Sequence, residues 1–377
     1  MNPTGPLAGT RVIELAGLGP APYAAMLLAD LGADVIRVDR PQAADGFSIP
    51  SSSALSNRGK RSIVLDLRTA EGVATVLDLV AGADVIIEGN RPGVAERLGV
   101  GPDACLARNP AIVYGRMTGW GQDGPLAHTA GHDINYLAVT GALHAIGEHD
   151  RAPVPPLNLL GDYGGGGVFL VVGVLAALVE ARASGRGQVV DAAIVDGVGH
   201  MLASVHAMLN SGRWRDERES NLVDGGMPFY AVYEAADGRH LAVGAIEPKF
   251  FAEFVRLAGI DVDPASQYDR AAWPELRAAI RAALAERAQA EWASVFDGSD
   301  ACVTPIASLR EAAEHPHMVA RGTISVGDDG SLRPGRAPRF SSHPHAAASS
   351  RLPAPGEHTE EILAEIAALA APADRSA

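Results

Sequence analysis

Two short stretches of this sequence set a titratable side chain beside glycine. Ala130-Gly131-His132-Asp133-Ile134-Asn135-Tyr136 places a histidine just after a glycine turn. Asn158-Leu159-Leu160-Gly161-Asp162-Tyr163 places an aspartate just before the run Gly164-Gly165-Gly166-Gly167, which opens into the apolar helix starting at Val168. A helix start exposes unpaired N–H groups and positive partial charge, so a carboxylate there is expected to ionise easily. Glycines let a substrate approach the backbone closely. A histidine titrating near neutrality and a carboxylate facing it could pass a proton across one reacting carbon. On spacing alone a second reading stands beside this one: Asp162 as a turn residue and His132 as a satisfied loop histidine.

The elements that must hold these two groups are legible in order. Arg11–Leu15 reads as a buried strand, Pro20–Leu31 as a helix with Ala24, Leu27, Leu28 and Leu31 on one side, and Asp34–Val38 as a second strand. The helix Ala70–Ala81 and strand Asp84–Ile87 repeat the unit, and strands follow at Ala111–Tyr114 and Gln188–Ile194. This β-α-β order predicts a Rossmann-like parallel sheet. Gly17-Leu18-Gly19 after the first strand, with Asp39 beyond it, imitates a dinucleotide fingerprint. Its third glycine position is Pro22, so the better reading is a tight strand-to-helix turn. The glycine-rich loop from Met117 to Pro125 leads into the His132 segment, and Val154-Pro155-Pro156-Leu157 gives a stiff approach to Asp162. Both groups are therefore expected on constrained loops, where catalytic residues often sit.

Asp196–Asn210 reads as one helix. Residues 225–324 form a smaller α+β domain: strands Phe229–Glu234 and Arg239–Gly244 joined at Asp237-Gly238, then helices around Phe250–Ala258, Trp273–Arg287 and Ala290–Phe296. Residues 211–224 are the expected linker. Residues 1–210 and 325–377 make the large domain, on which the last helix, from Thr359, packs back.

Charge is uneven along the chain. The net charge of −14 over 377 residues argues against general nucleic-acid binding. From Ile36 to Arg68, however, six basic residues (Arg37, Arg40, Arg58, Lys60, Arg61, Arg68) face three acidic ones (Asp39, Asp45, Asp66), and Arg91 and Arg97 follow. A local basic surplus suggests a small polyanion such as the phosphates of a nucleotide-like group; the other reading is a solvated face of scattered ion pairs. Two cysteines, Cys105 and Cys302, make neither a disulfide framework nor a metal site. No basic-then-apolar leader is seen at the N-terminus, and the apolar run Val168–Val179 is too short to span a membrane, so a cytoplasmic protein is expected.

Taken together and in order, these segments resemble family III coenzyme A transferases and racemases. The matching stretches are Leu7–Glu14, Leu31–Asp39, Asn57–Ile63, Arg91-Pro92-Gly93, Met117–Pro125, Gly131–Tyr136, Gly161-Asp162, Gly187–Asp191 and Gly244–Pro248. The resemblance implies a Rossmann-like large domain, a smaller domain and an interlocked homodimer. It further implies an acyl-CoA thioester substrate, with CoA entering as part of the substrate and no separate metal or redox cofactor. For the site it implies His132 and Asp162 as acid and base inverting the α-carbon of 2-methylacyl-CoA thioesters through an enolate, and Glu247 bonded to the histidine. CoA would be held by Arg40, Arg58, Lys60, Arg61, Arg91, Arg97 and Tyr136, and backbone N–H groups near Gly161–Gly167 are candidates for the enolate oxygen. Two alternatives belong to the same resemblance: a CoA transferase with Asp162 as nucleophile, and a silent acyl-CoA-binding protein.

Overall fold

Strand β1 (Arg11–Leu15) has Val12, Ile13 and Glu14 wholly buried and Leu15 nearly so, which requires cover on both faces. A computed structural model, describing residues 5–41, 55–343 and 351–370, supplies that cover. Asp45, counted in the basic stretch, lies outside the described residues. The chain divides into two units: residues 5–140, 157–201 and 316–370 in the first, and 141–156 and 202–315 in the second. The stretch expected as a linker, 211–224, belongs inside the second unit, where Asn221 bonds the backbone of Arg215 and Glu217.

In the first unit the elements run α1 (Pro20–Asp30), β2 (Asp34–Asp39), β3 (Arg61–Val64), α2 (Ala70–Ala81), β4 (Val85–Glu88), α3 (Val94–Arg97), α4 (Pro102–Arg108), β5 (Val113–Thr118) and α5 (Asp133–Thr140). After residue 157 come a π-helical segment (Leu159–Val168), α6 (Phe169–Ser184), β6 (Val189–Ala193) and α7 (Ile194–Met201). Six parallel strands pair in the order β3-β2-β1-β4-β5-β6, with Val12 opposite both Val35 and Val85. One face carries Ile13, Ile36, Ile63, Ile86 and Tyr114 against α2. On the other, Leu170 and Val174 of α6 meet Gly115 of β5. The order reverses between β1 and β4, and a crevice at the carboxyl ends of those strands is where open α/β sheets bind ligands.

The sequence broke its apolar helix at the glycine run, and there the structure differs. The segment Leu159–Val168 continues directly into α6, making a helical stretch of 26 residues that is apolar and long enough to cross a membrane by length and composition; half of its most apolar 18-residue window is buried in the protein. Glycine makes this continuity sterically possible. A Cβ on Gly165 would lie 2.9 Å from the Val198 nitrogen, and one on Gly197 would lie 1.9 Å from the Gly165 oxygen, so α7 and the π-helical segment touch backbone to backbone.

Later in the chain, α8 (Ala203–Asn210), β7 (Tyr230–Glu234), β8 (His240–Gly244), α9 (Pro248–Ala258), α10 (Trp273–Leu284), α11 (Gln289–Phe296), β9 (Val303–Pro305) and α12 (Leu309–Glu314) build the second unit. Its antiparallel sheet β7-β8-β9 encloses its own core around Phe229, Phe251, Phe254 and Trp292. The single helix expected over 196–210 is two, broken at Leu202, where the units divide. The chain then returns to the first unit through α13 (Pro316–Arg321), β10 (Ile324–Val326), β11 (Leu332–Pro334) and α14 (Thr359–Ala370). Helix α14 buries Ile362 in the same cluster as Ile13 and Ile36.

Candidate active site

The loop after β1 is the first wall of the crevice. Gly19 precedes α1 with φ 71°, and a methyl group on it would sit 3.4 Å from Asp162 Oδ2. Asp162 thus lies at the start of α1, and the Gly17-Leu18-Gly19 turn that imitates a nucleotide fingerprint instead makes room for a carboxylate.

Asp162 belongs to the first turn of the π-helical segment, and such segments cluster at functional sites. Its backbone N–H donates to Asp133 Oδ1 at 2.7 Å. Burial pushes its carboxyl pKa above the ordinary value, the negative charge of Asp133 adds to that, and a hydrogen bond from Asn158 and the charge of His132 oppose it. The expectation of an easily ionised carboxylate is therefore reversed: desolvation outweighs the helix-start field at this position. His132 is linked to Asp162 through its neighbour in the chain, Asp133, whose carboxylate holds the Asp162 backbone N–H.

His132 is exposed and immediately precedes α5. Its N–H donates to Asn135 Oδ1 at 3.0 Å, and its carbonyl accepts from the Asn135 N–H at 2.8 Å, the reciprocal bonding of a helix start. Tyr136 fixes this turn from below. Its hydroxyl donates to the Gly131 carbonyl at 2.5 Å, and its ring meets Trp120 edge-on with centroids 4.7 Å apart. Tyr136 is 9% exposed, so it supports the histidine loop from the interior. Burial raises its pKa, followed by the charge of Asp162, with Arg91 opposing.

The N–H groups proposed from sequence for an enolate oxygen are already used at the start of this turn. Asp162 donates to Asp133, and Tyr163 donates to the Asn158 carbonyl at 3.2 Å.

The basic stretch resolves into internal pairs. Lys60, with a side chain wholly buried, donates to Glu14 and to the Pro22 carbonyl at 3.0 Å. Arg58 pairs with Asp30 at 2.5 Å, its side chain 3% exposed. Arg37 bonds Asp39 and Asn57, Arg61 pairs with Asp34, Glu361 and Glu365, and Arg68 pairs with Asp66. Arg58, Lys60 and Arg61 thus already hold carboxylates of this chain, and the surplus available to a phosphate narrows to Arg40, Arg91 and Arg97. Arg40, at the end of β2, reaches Asn90 after β4 at 3.2 Å and is exposed. Arg91 and Arg97 are exposed and have no carboxylate partner among the described residues; Arg97 lines a cleft of about 420 Å³ with Val73, Leu77 and Leu98. Glu247 is in the second unit, exposed at the start of α9, while His132 and Asp162 are in the first. Asp133 was given no role from sequence, Gly19 only that of a tight turn, and Trp120 only a place in the Met117–Pro125 loop; the one available signal for Asp133 was an acidic residue directly after the histidine.

The raised carboxyl gives a prediction. A group whose folded pKa lies above its unfolded value binds its proton more tightly when folded. Stability then falls as pH rises from the unfolded to the folded pKa and stays lost above it. Asp162→Asn removes that cost. Its thermal midpoint at neutral pH is expected above wild type, with the gap closing as pH is lowered below about 4. Thermal melts across that range check it, and a lower midpoint at neutral pH would contradict it.

The parallel sheet sets the half-buried Asp162 against the Gly19 turn beside its switch point. The chain belongs to CoA-transferase family III, whose model matches residues 7–359. It is 42% identical to the α-methylacyl-CoA racemase of Mus musculus and 41% identical to that of Homo sapiens, in each case over 95% of this chain and 93% of the relative. The crystal structure of a CaiB/BaiF family protein from Brucella suis superposes with a TM-score of 0.80 at 29% identity, covering 96% of this chain and 99% of that one.

Proposed function

We propose that this protein is an α-methylacyl-CoA racemase, inverting the α-carbon of 2-methylacyl-CoA thioesters. The observation that supports the reading is that the Asp162 carboxylate lies against the Gly19 turn while its backbone N–H is held by Asp133, the covalent neighbour of His132. The racemases of mouse and human to which the chain is similar support the same reading.

The thioester acidifies the α-carbon because the departing proton's electron pair moves onto the carbonyl oxygen as an enolate. The pair holds one proton between them. Either neutral His132 removes the α-proton and protonated Asp162 returns one to the opposite face, or ionised Asp162 removes it and the imidazolium returns one. A raised Asp162 pKa makes its protonated form easier to reach, so the carboxyl can return a proton as well as remove one. CoA is read as held by Arg40, Arg91 and Arg97. The working form is read as a homodimer: Val168, Val172 and Val179 present an apolar stripe on one helical stretch, 41%, 59% and 72% exposed, for a second copy to cover.

For the CoA contacts, Arg91→Ala and Arg97→Ala are each expected to weaken CoA binding roughly tenfold, about 1.5 kcal/mol for a charge-assisted hydrogen bond, with affinity falling as salt rises. Calorimetric titration measures this, and unchanged affinity in both variants would remove them from the site. The reaction itself is tested by supplying one pure enantiomer of a 2-methylacyl-CoA with no free carboxylate. A racemase yields both enantiomers. A transferase leaves the stereocentre intact, moves CoA to an added carboxylate, and carries an acyl group on Asp162 that hydroxylamine traps.

A further inference from the structure

Asp133 is the residue that mechanism leaves unused. It is the first residue of α5, directly after His132 in the chain, and its Oδ1 accepts the backbone N–H of Asp162 at 2.7 Å. The neighbouring N–H of Gly161 also faces this carboxylate and works against the rise in its pKa that burial causes. The fit is close: a Cβ on Gly161 would lie 2.1 Å from Asp133 Oδ1 and 2.8 Å from its Cγ. Gly161 is therefore glycine because the Asp133 carboxylate lies against it.

We infer that Asp133 is a positioning residue that sets the gap between His132 and Asp162. One group is its covalent neighbour, and the other is held by its carboxylate through the backbone. Two-sided proton transfer needs this. The two groups must stand on opposite faces of one carbon, and a displacement of about 1 Å can cost on the order of 10²-fold. Two carboxylates side by side would be wasteful in a purely structural turn, where asparagine can accept the same N–H bond without the charge. Here the charge acts on Asp162, whose proton affinity Asp133 raises. The other groups facing Asp162 are His132, Asn158 and Tyr136, with Arg91 acting on Tyr136; besides the two N–H groups, Asp133 also interacts with the Tyr136 hydroxyl.

The inference rests on the racemase reading, so its test uses α-proton exchange in heavy water, comparing Asp133→Ala, Asp133→Asn and wild type. Asp133→Ala loses both the bond and the charge. Its kcat is expected to fall about 10- to 100-fold with KM within about threefold. Asp133→Asn keeps an acceptor oxygen and is expected to recover most of kcat. The acid limb of its kcat/KM profile, where the pair takes up a second proton at Asp162, is expected to move to lower pH because a negative neighbour is gone. Gly161→Ala, which would push the carboxylate aside, is expected to behave like Asp133→Ala. If Asp133→Ala does not fold, the Asn acid limb and Gly161→Ala decide. Wild-type kcat in the variants that fold, or an unmoved acid limb in Asp133→Asn, would overturn the inference while leaving the racemase reading intact. Wild-type protein that exchanges nothing would overturn the racemase reading itself, and this inference with it.

Discussion

His132→Ala and Asp162→Asn are each expected to slow α-proton exchange by roughly 10²–10⁴-fold, the usual worth of a positioned acid or base. Asp162→Asn is the sharper change, because asparagine keeps the size of the side chain and the backbone N–H bond to Asp133 and removes only the basicity. His132 is exposed at the head of α5, and its turn is held by Asn135 and Tyr136 through backbone groups, so truncating the imidazole leaves the turn standing. Both variants should therefore melt cooperatively while losing activity, and the two losses should not multiply in the double variant, since the groups act as one pair. Retained exchange in His132→Ala would return His132 to the role of a loop residue.

The largest expected effect on stability lies away from the chemistry. Lys60→Met should cost about 3–5 kcal/mol, because it leaves the buried Glu14 carboxylate without the cation bonded to it. Glu14 sits wholly buried on β1, and its Oε1 has no hydrogen-bond partner, so the ammonium is its principal compensation. Burial lowers the Lys60 pKa, and Glu14 opposes that shift. Because the unfolded chain then holds this proton more tightly than the folded one, stability attributable to it rises as pH climbs from the folded pKa to the unfolded one. Adding Glu14→Gln to Lys60→Met should recover much of the loss, since no bare charge then remains. Urea unfolding of the single and double variants measures this, and equal midpoints would contradict it. The pair also bears on the site: β1 leads into the Gly19 turn against Asp162, and Lys60 is tied to the Pro22 carbonyl at 3.0 Å.

The same lysine shows where a sequence stops being readable. Strands β1, β2 and β4 were legible because strands buried on both faces read as continuous apolar runs bounded by turns. Strand β3 was hidden by its setting: four residues opening on Arg61, within a stretch read as a basic face. Asp39 and Asp66 pair with Arg37 and Arg68 inside the stretch, but the other carboxylates come from outside it, Glu365 meeting Arg61 from 304 residues away. Local charge counting could see the cations and not these distant partners.

The site was legible as a pair of residues and not as a geometry. His132 and Asp162 stood out by type and by neighbouring glycine. The π-helical turn carrying Asp162 has no sequence period of its own, and its glycines read as a loop because their purpose is contact with α7. The direction of the Asp162 shift could not be foreseen either, since it depends on burial and on Asp133, which arrives from another element.

One measurement tests the central claim most directly. A single enantiomer of a 2-methylacyl-CoA is incubated with the protein in heavy water, with no free carboxylate present, and the α-position is followed by NMR. The account predicts that deuterium enters the α-carbon as the opposite enantiomer accumulates, and that Asp162→Asn abolishes both together. An α-proton that stays in place while added carboxylate takes up CoA would contradict it.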